Sequence, residues 1–451
     1  LISYSFSVST AARQQAVRRW ILLGLLSLVG AGIFSILLVL ARTPFLQSVI
    51  PFVDFFRVAL VVHVNLSVLV WLLAISAALW CIAGRRASSR LDAPAFWLAA
   101  AGTAVIVLAP FVGAGSPQMS NYVPVLDHAL FFAGLTLFAT GILIQAFRLF
   151  LSWPVLGQRL TGSDALNVGI GLSAVIVVFA LISVYASWSG TPKSIDGQAY
   201  YEFVFWGGGH VVQFAYTLLM LIAWAVLASV SGCDVKLSPR LMLVFLLMVC
   251  LPTITLPFLY LAHDIVTAGH RLAFTELMKY GGLSCLPLGL AIVAALWQPP
   301  KASGEGRYLR AALLSSVVLF AVGGVLGFLI VGLDIVIPAH YHGATVGVTV
   351  AFMGLCYYLL PKVGYGPVPE RMAVWQPYLY AGGQLMHIAG LAWTGGYGVQ
   401  RKTAGVAQGV DRLGEVAGMG LMGLGGLVSV IGGILFLVVC YRSIKARPLA
   451  S

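Results

Sequence analysis

Runs of about 20 apolar residues, the length a helix needs to cross about 30 Å of hydrocarbon, recur along this chain without a long soluble insertion between them. They predict twelve helical spans, at 19–42, 60–83, 93–115, 125–148, 165–188, 203–230, 241–266, 272–297, 310–333, 337–360, 373–396 and 415–441. The expected fold is all-α: one integral membrane bundle of twelve transmembrane helices within a single domain, 1–451. A short segment, 1–18, precedes the first span and a tail, 442–451, follows the last.

Composition agrees with that reading. Of the 451 residues, 60% are hydrophobic and 9% charged, and the mean hydropathy of +0.98 is far above that of a soluble globular chain. The formal charge of +12 is a topology signal. Counted with the N-terminus in the cytoplasm, the N-terminal segment, the even-numbered loops and the tail hold 18 of the 26 Lys and Arg residues, so both termini are expected to be cytoplasmic. Because those charges are scattered through short loops, a nucleic-acid partner is not needed to explain them. The six cysteines form no CxxC and no CxxCH, which argues against a disulfide framework, a thiolate zinc site or a covalently attached c-type haem. The first apolar run is long enough to span and follows basic residues, so no cleavable signal peptide is expected.

The topology assigns all eight histidines, His63, His128, His210, His263, His270, His340, His342 and His387, to one side of the membrane, in the outer half of a span or just beyond it. Intramembrane ionisable groups are costly and usually mark a functional site, and neutral imidazole is the commonest metal ligand. A shared cofactor layer therefore explains the set. His128 and His270 read instead as hydrogen-bonded structural histidines. A twelve-span solute transporter would leave the one-sided distribution unexplained.

The run Ala339–Gly343, AHYHG, is the sharpest local signal. At about 100° per residue, His340 and His342 project roughly 200° apart on a helix. They can ligate two different metals on opposite faces, whereas chelation of one ion prefers i, i+4 spacing.

This motif resembles the HxH of the tenth helix in the haem-copper oxidase superfamily, and the likeness extends along the chain. His63 in HVNLSVLVW opens the second span in a pattern similar to that of the nitric oxide reductase branch. His210 in WGGGHVVQF lies in the sixth span, and AHDIVTAG in the seventh resembles the family's SAHHMFTVG, aligning His263 and Asp264 with its paired histidines. The resemblance implies that His63 and His342 ligate a low-spin, b-type haem, and that His340 holds a high-spin b- or a-type haem. It further implies a non-haem metal, iron or copper, on His210, His263 and Asp264. Asp334, Arg401 and Lys402 resemble residues near the haem propionates.

Two departures from the oxygen-reducing pattern narrow the expectation. Four residues after the sixth-span histidine, where many oxygen reductases carry a cross-linked tyrosine, this chain has Phe214; Tyr216 and Tyr260 are the nearest substitutes. Asp264 replaces an imidazole, and a two-histidine, one-carboxylate set favours iron. Both suit nitric oxide reduction, which breaks no O–O bond. Gln213 can point toward the pocket and donate a hydrogen bond, with a polar packing role as the alternative. Val212 stands where oxidases carry a carboxylate, so Glu202 and Glu276 are the candidates for an outer-side proton entry. The resemblance also implies a bacterial cytoplasmic membrane and a partner subunit, bearing a cupredoxin or cytochrome c domain, that delivers electrons. An oxygen-reducing terminal oxidase is the alternative.

Overall fold

The computed structural model describes residues 3–42, 55–113, 115–297, 305–330, 336–395 and 413–447. Among them, eleven helices are long and apolar enough to cross a membrane. The predicted span at 373–396 forms a continuous helix, Glu370–Gly395, but its polar residues hold it below the apolarity of the other eleven.

In chain order the helices are α1 (Ala11–Arg42), α2 (Phe55–Val64), α3 (Trp71–Ala83), α4 (Asp92–Leu108), α5 (Ala129–Phe150), α6 (Gly162–Gly190), α7 (Gly197–Val230), α8 (Pro239–Cys250), α9 (Leu256–Ala262), α10 (Ala268–Gly281), α11 (Leu286–Leu296), α12 (Glu305–Phe328), α13 (Val336–Lys362), α14 (Glu370–Gly395) and α15 (Leu413–Lys445). A two-stranded antiparallel hairpin, β1 (Ser116–Gln118) and β2 (Val125–Asp127), lies between α4 and α5.

Three predicted spans are broken for local reasons. Between α2 and α3 the helix widens into a π-turn, Asn65–Val70, where Asn65 Nδ2 and Ser67 Oγ donate to the Val61 and His63 carbonyls four residues earlier. Side chains that bond back to the preceding turn compete with the regular ladder. In the seventh span Pro252 and Pro257 bring no N–H donor, so α8 passes through a 3-10 turn into the short α9. The predicted 241–266 helix thus stops at Ala262, leaving His263 and Asp264 in a connecting turn. The eighth span narrows into a 3-10 turn at Gly282–Cys285 between α10 and α11.

The chain divides into two compact units, residues 1–222 with 236–291, and residues 223–235 with 292–451. In the first, α3 is buried along its whole length and Trp80 donates its indole N–H to Ser173 Oγ on α6 at 3.0 Å. Small residues set the α4–α5 crossing: a Cβ on Gly102 would strike the Phe138 and Gly134 backbone, and one on Gly141 would strike Ala95 and Ala99. Close approach at small residues is the usual way membrane helices gain packing. The basic end of α5 is fixed by Arg148, which is 1% exposed and donates to Asp92 at 2.8 Å and to the Arg86 carbonyl at 3.0 Å. In the second unit, α12 and α13 cross at Gly323 and Gly343, and α14 meets α15 along Gly383, Gly390, Gly425 and Gly432. Leu319, Ala339, Val350, Ala381, Ile388 and Leu391 form a core cluster there.

Candidate active site

His210 sits one residue past three glycines on α7, and the crowding around each explains the run. A Cβ on Gly207 would meet Tyr260 Oη and Ser183 Oγ, one on Gly208 would meet Val184 and the Ala180 carbonyl of α6, and one on Gly209 would fall within the Tyr122 ring. Successive residues turn by about 100°, so three faces of α7 are in backbone-close contact at this level. His210 itself is buried. Its Nδ1 lies 2.8 Å from the Trp206 carbonyl oxygen, which can only accept, so Nδ1 carries the hydrogen. Nε2 of the neutral ring is then an acceptor, and Tyr122 Oη lies 2.9 Å from it.

Tyr122 comes from the loop closed by β1 and β2, and that loop is held from several sides. Asn65, in the π-turn two residues after His63, donates to the Pro124 carbonyl at 2.7 Å. The Glu202 carboxylate of α7 accepts from the Asn121 backbone N–H at 2.8 Å and from the Asn121 side-chain amide. Tyr201 Oη donates to Asp127 at the loop's far end at 2.7 Å. Burial, reinforced by the Glu202 carboxylate, pushes the Tyr122 phenol well above the ordinary tyrosine range. It therefore stays a neutral O–H donor.

The predicted haem ligands share this ring chemistry. His63 Nδ1 is 2.9 Å from the Ala31 carbonyl of α1, and His340 Nδ1 is 2.7 Å from the Gly323 carbonyl of α12. In each ring the nitrogen bonded to a carbonyl donates, leaving Nε2 with its lone pair, the arrangement that orients metal-bound histidines. Gly327 makes room for the His340 ring, since a Cβ there would lie 2.8 Å from its Cε1 and Nδ1. The chemistry of these donors and the glycine cradle fit axial haem ligation. His342 projects to the other face of α13, as expected, and its ring lies 4.7 Å from that of His387 on α14. His387 donates through Nδ1 to the Met422 carbonyl at 2.9 Å. Its neighbourhood with His342 could not be read from spacing, because the two lie on different helices.

The residues expected to hold the non-haem metal come from two places, His210 from α7 and His263 and Asp264 from the turn after α9. Among the described residues no three His, Cys, Asp or Glu side chains gather around one point. Asp264 is exposed, and its carbonyl accepts from Thr267 N–H at 3.0 Å and Thr267 Oγ at 2.7 Å in the turn after α9. His263 caps α9 with its ring over Gly269. Of the three proposed ligands, His210 alone has the buried, oriented ring that ligation asks for.

The side chains that do surround His210 are aromatic. Trp206, Tyr122 and Phe274 have ring centroids 4.8, 4.8 and 6.2 Å away. Phe274 in turn packs on His270, at 4.8 Å, and on Tyr260, at 5.6 Å. His270, expected to be a hydrogen-bonded structural histidine, is fully buried. Its polar neighbour is the His263 backbone. Tyr260 Oη is engaged elsewhere, with Ser183 Oγ at 2.6 Å and Ser187 Oγ at 2.8 Å. Phe214, one turn after His210, is 1% exposed with its ring tip against Gly281. Gln213 is half-buried, and Glu276 is exposed on α10. His128 serves as the N-cap of α5, accepting from Leu130 N–H at 3.2 Å. Asp334, Arg401 and Lys402 lie outside the described residues.

The model of the family described as cytochrome c and quinol oxidase polypeptide I matches residues 15–435. An uncharacterized protein of Rickettsia prowazekii (strain Madrid E) is 28% identical over 513 aligned positions, covering 97% of this chain and 97% of the relative. An uncharacterized protein of Aquifex aeolicus (strain VF5) is 28% identical over 346 positions, covering 77% and 85%. The fold is similar to that of a heme-copper terminal oxidase dimer solved by cryo-electron microscopy, with a TM-score of 0.73 at 16% identity over 98% of this chain and 86% of the other. With eleven apolar helices of spanning length and a family match along nearly its whole length, the chain is a multi-pass membrane oxidoreductase and belongs to the cytochrome c and quinol oxidase polypeptide I family, subunit I of the haem-copper oxidases.

Proposed function

We propose that this chain is the catalytic subunit of a nitric oxide reductase of a bacterial cytoplasmic membrane, with both termini cytoplasmic, converting two NO, two electrons and two protons to N2O and water. The observation that carries the reading is Phe214: the position one turn after His210 is a buried phenyl ring, packed against Gly281, with no phenol. Reducing NO needs no tyrosyl donor at that place.

In this reading His63 and His342 hold a low-spin b-type haem, His340 a high-spin b- or a-type haem, and His210, His263 and Asp264 a non-haem iron or copper. Arg401 and Lys402 neutralise the propionates, and Asp334 is assigned to the same propionate region. When bound, these groups would supply electrons and Lewis-acid binding for a diatomic substrate. The chain's own residues do the rest. The Ala31, Trp206 and Gly323 carbonyls fix three of the ligand rings in the tautomer that leaves Nε2 available. Phe274 and Trp206 keep water from the His210 ring. Gln213 donates a hydrogen bond to substrate oxygen, and Glu202 and Glu276 relay protons from the outer side. A carboxylate in the ligand set favours iron. Electrons come from a partner subunit with a cupredoxin or cytochrome c domain.

Oxygen reduction is the second reading, favoured by Tyr122, whose phenol reaches the metal-ligand histidine by another route. Steady-state consumption of NO and of O2 by the purified protein separates the two. The expected result is rapid NO loss with N2O formed, and about three irons per chain with no copper. Faster O2 than NO turnover overturns it.

A further inference from the structure

We propose that the basic end of the first unit binds the phosphate of an anionic phospholipid, in a cavity that Arg13, Arg85 and Asn167 line and whose charge is reinforced from beneath by Arg148. The site is independent of which diatomic molecule the enzyme reduces.

Three observations carry it. First, four spanning segments end at one level. Arg13 lies in the first turn of α1, Gly84 caps the C-terminus of α3, Arg148 lies in the last turn of α5 and Thr161 caps the N-terminus of α6. A cavity of about 180 Å³ opens among them, with Arg13, Gly84, Arg85, Val155, Asp164 and Asn167 in its wall.

Second, positive charge there exceeds what the protein pairs. Arg13 Nη2 donates to the Gly84 and Arg85 carbonyls at 2.6 and 3.2 Å. Arg148 gives Nε to Asp92 and Nη2 to the Arg86 carbonyl, but among the described residues no acceptor reaches its Nη1 or Arg13 Nε. A Cβ on Gly84 would lie 2.8 Å from that Nη1, so the cavity wall rests directly on the buried guanidinium. Arg13 and Arg148 are close enough to oppose each other's charge. The Asp164 carboxylate is engaged by Thr161 N–H and Oγ at 2.9 and 2.7 Å. Setting Arg13, Arg85 and Arg148 against Asp92 and Asp164 leaves one positive charge, and uncompensated charge away from water is costly. The single negative charge of a phosphodiester balances it.

Third, the surroundings suit acyl chains. Val155 in the cavity wall is 61% exposed, and Leu151 and Leu156 beside it are exposed as well. A free phosphate has no use for that apolar rim, whereas basic pockets between membrane helices are where lipid headgroups bind.

The test titrates haem-loaded protein, stripped of lipid in neutral detergent, with dioleoylphosphatidylglycerol, dioleoylphosphatidylcholine or inorganic phosphate, and reads the rise in thermal unfolding temperature. Phosphatidylglycerol is expected to stabilise the wild type saturably and the other two not. Arg85→Gln should raise the half-saturating concentration about 5-fold. Arg13→Gln should do the same, and because its carbonyl contacts also hold the fold, Arg85→Gln carries the decision. Arg90→Gln, in the same loop but outside the cavity wall, should change nothing. Equal response to the two lipids, an unchanged Arg85→Gln, or an equal loss in Arg90→Gln overturns the site. If inorganic phosphate alone reproduces the stabilisation, the pocket takes a free anion and the lipid assignment fails.

Discussion

In the first unit, His210 donates its Nδ1 hydrogen to Trp206, one turn earlier on the same helix, and its Nε2 meets a phenol. In the second, His340 donates through Nδ1 to Gly323 on the neighbouring helix α12, which leaves its Nε2 with the lone pair. Both rings are set in the same tautomer. The difference lies in what supports them. The His340 ring depends on a helix–helix crossing, where Gly323 lets the α13 backbone approach at Gly343 and Gly327 makes room for the ring itself. The His210 ring is oriented within α7, and the crossings around it instead shape the aromatic wall and place Tyr122. A ring tied to its own helix tolerates movement of its neighbours; one tied across a crossing does not.

The largest test of this contrast removes the rings. His340→Ala is expected to abolish the high-spin haem signal in the reduced-minus-oxidised spectrum and leave the low-spin bands. His210→Ala should keep both haem signals and lose the non-haem metal. In each, turnover should fall well beyond the roughly 10–100-fold that loss of a ligand-orienting group costs. Equal haem loss in the two variants would erase the distinction.

A finer comparison adds one methyl at each ring's support. Gly327→Ala and Gly209→Ala should each lower stability by about 1–3 kcal/mol through overpacking, read as a drop in thermal unfolding temperature in detergent. Only Gly327→Ala should perturb the high-spin haem spectrum, because its Cβ meets the His340 ring, whereas that of Gly209 meets Tyr122. The smallest effect is expected at Tyr260→Phe. Removing a hydroxyl that bonds Ser183 and Ser187 should cost about 1 kcal/mol, with NO turnover retained. Lost turnover at normal stability would move Tyr260 from packing into the chemistry.

Much of the membrane architecture was legible because the bilayer imposes one strong rule: each crossing needs a long apolar run. Eleven of the twelve predicted runs appear as spanning helices, and the twelfth is a helix made more polar by residues such as Gln376 and Gln384, which lie inside the packing. The opposed directions of His340 and His342 follow from helical periodicity, and the fold bears this out by turning one toward α12 and the other toward α14. The breaks were harder to see. The predicted seventh span ran on to 266 by hydropathy, while the prolines and the Thr267 turn end the helix at Ala262.

What the chain's order alone determined is whatever depends on neighbours in sequence: the apolar runs, the two faces of AHYHG, the absence of a phenol four residues past His210, and the membership of the family that these motifs announced. Tertiary structure decided which carbonyl orients each imidazole, why three glycines precede His210, and that Tyr122, Asn65 and Glu202 act on one loop although they lie far apart in the chain. The physical reason is that hydrogen bonds and contacts between helices depend on where backbones cross. Crossings are set by the packing of many small residues at once, and no local pattern encodes them.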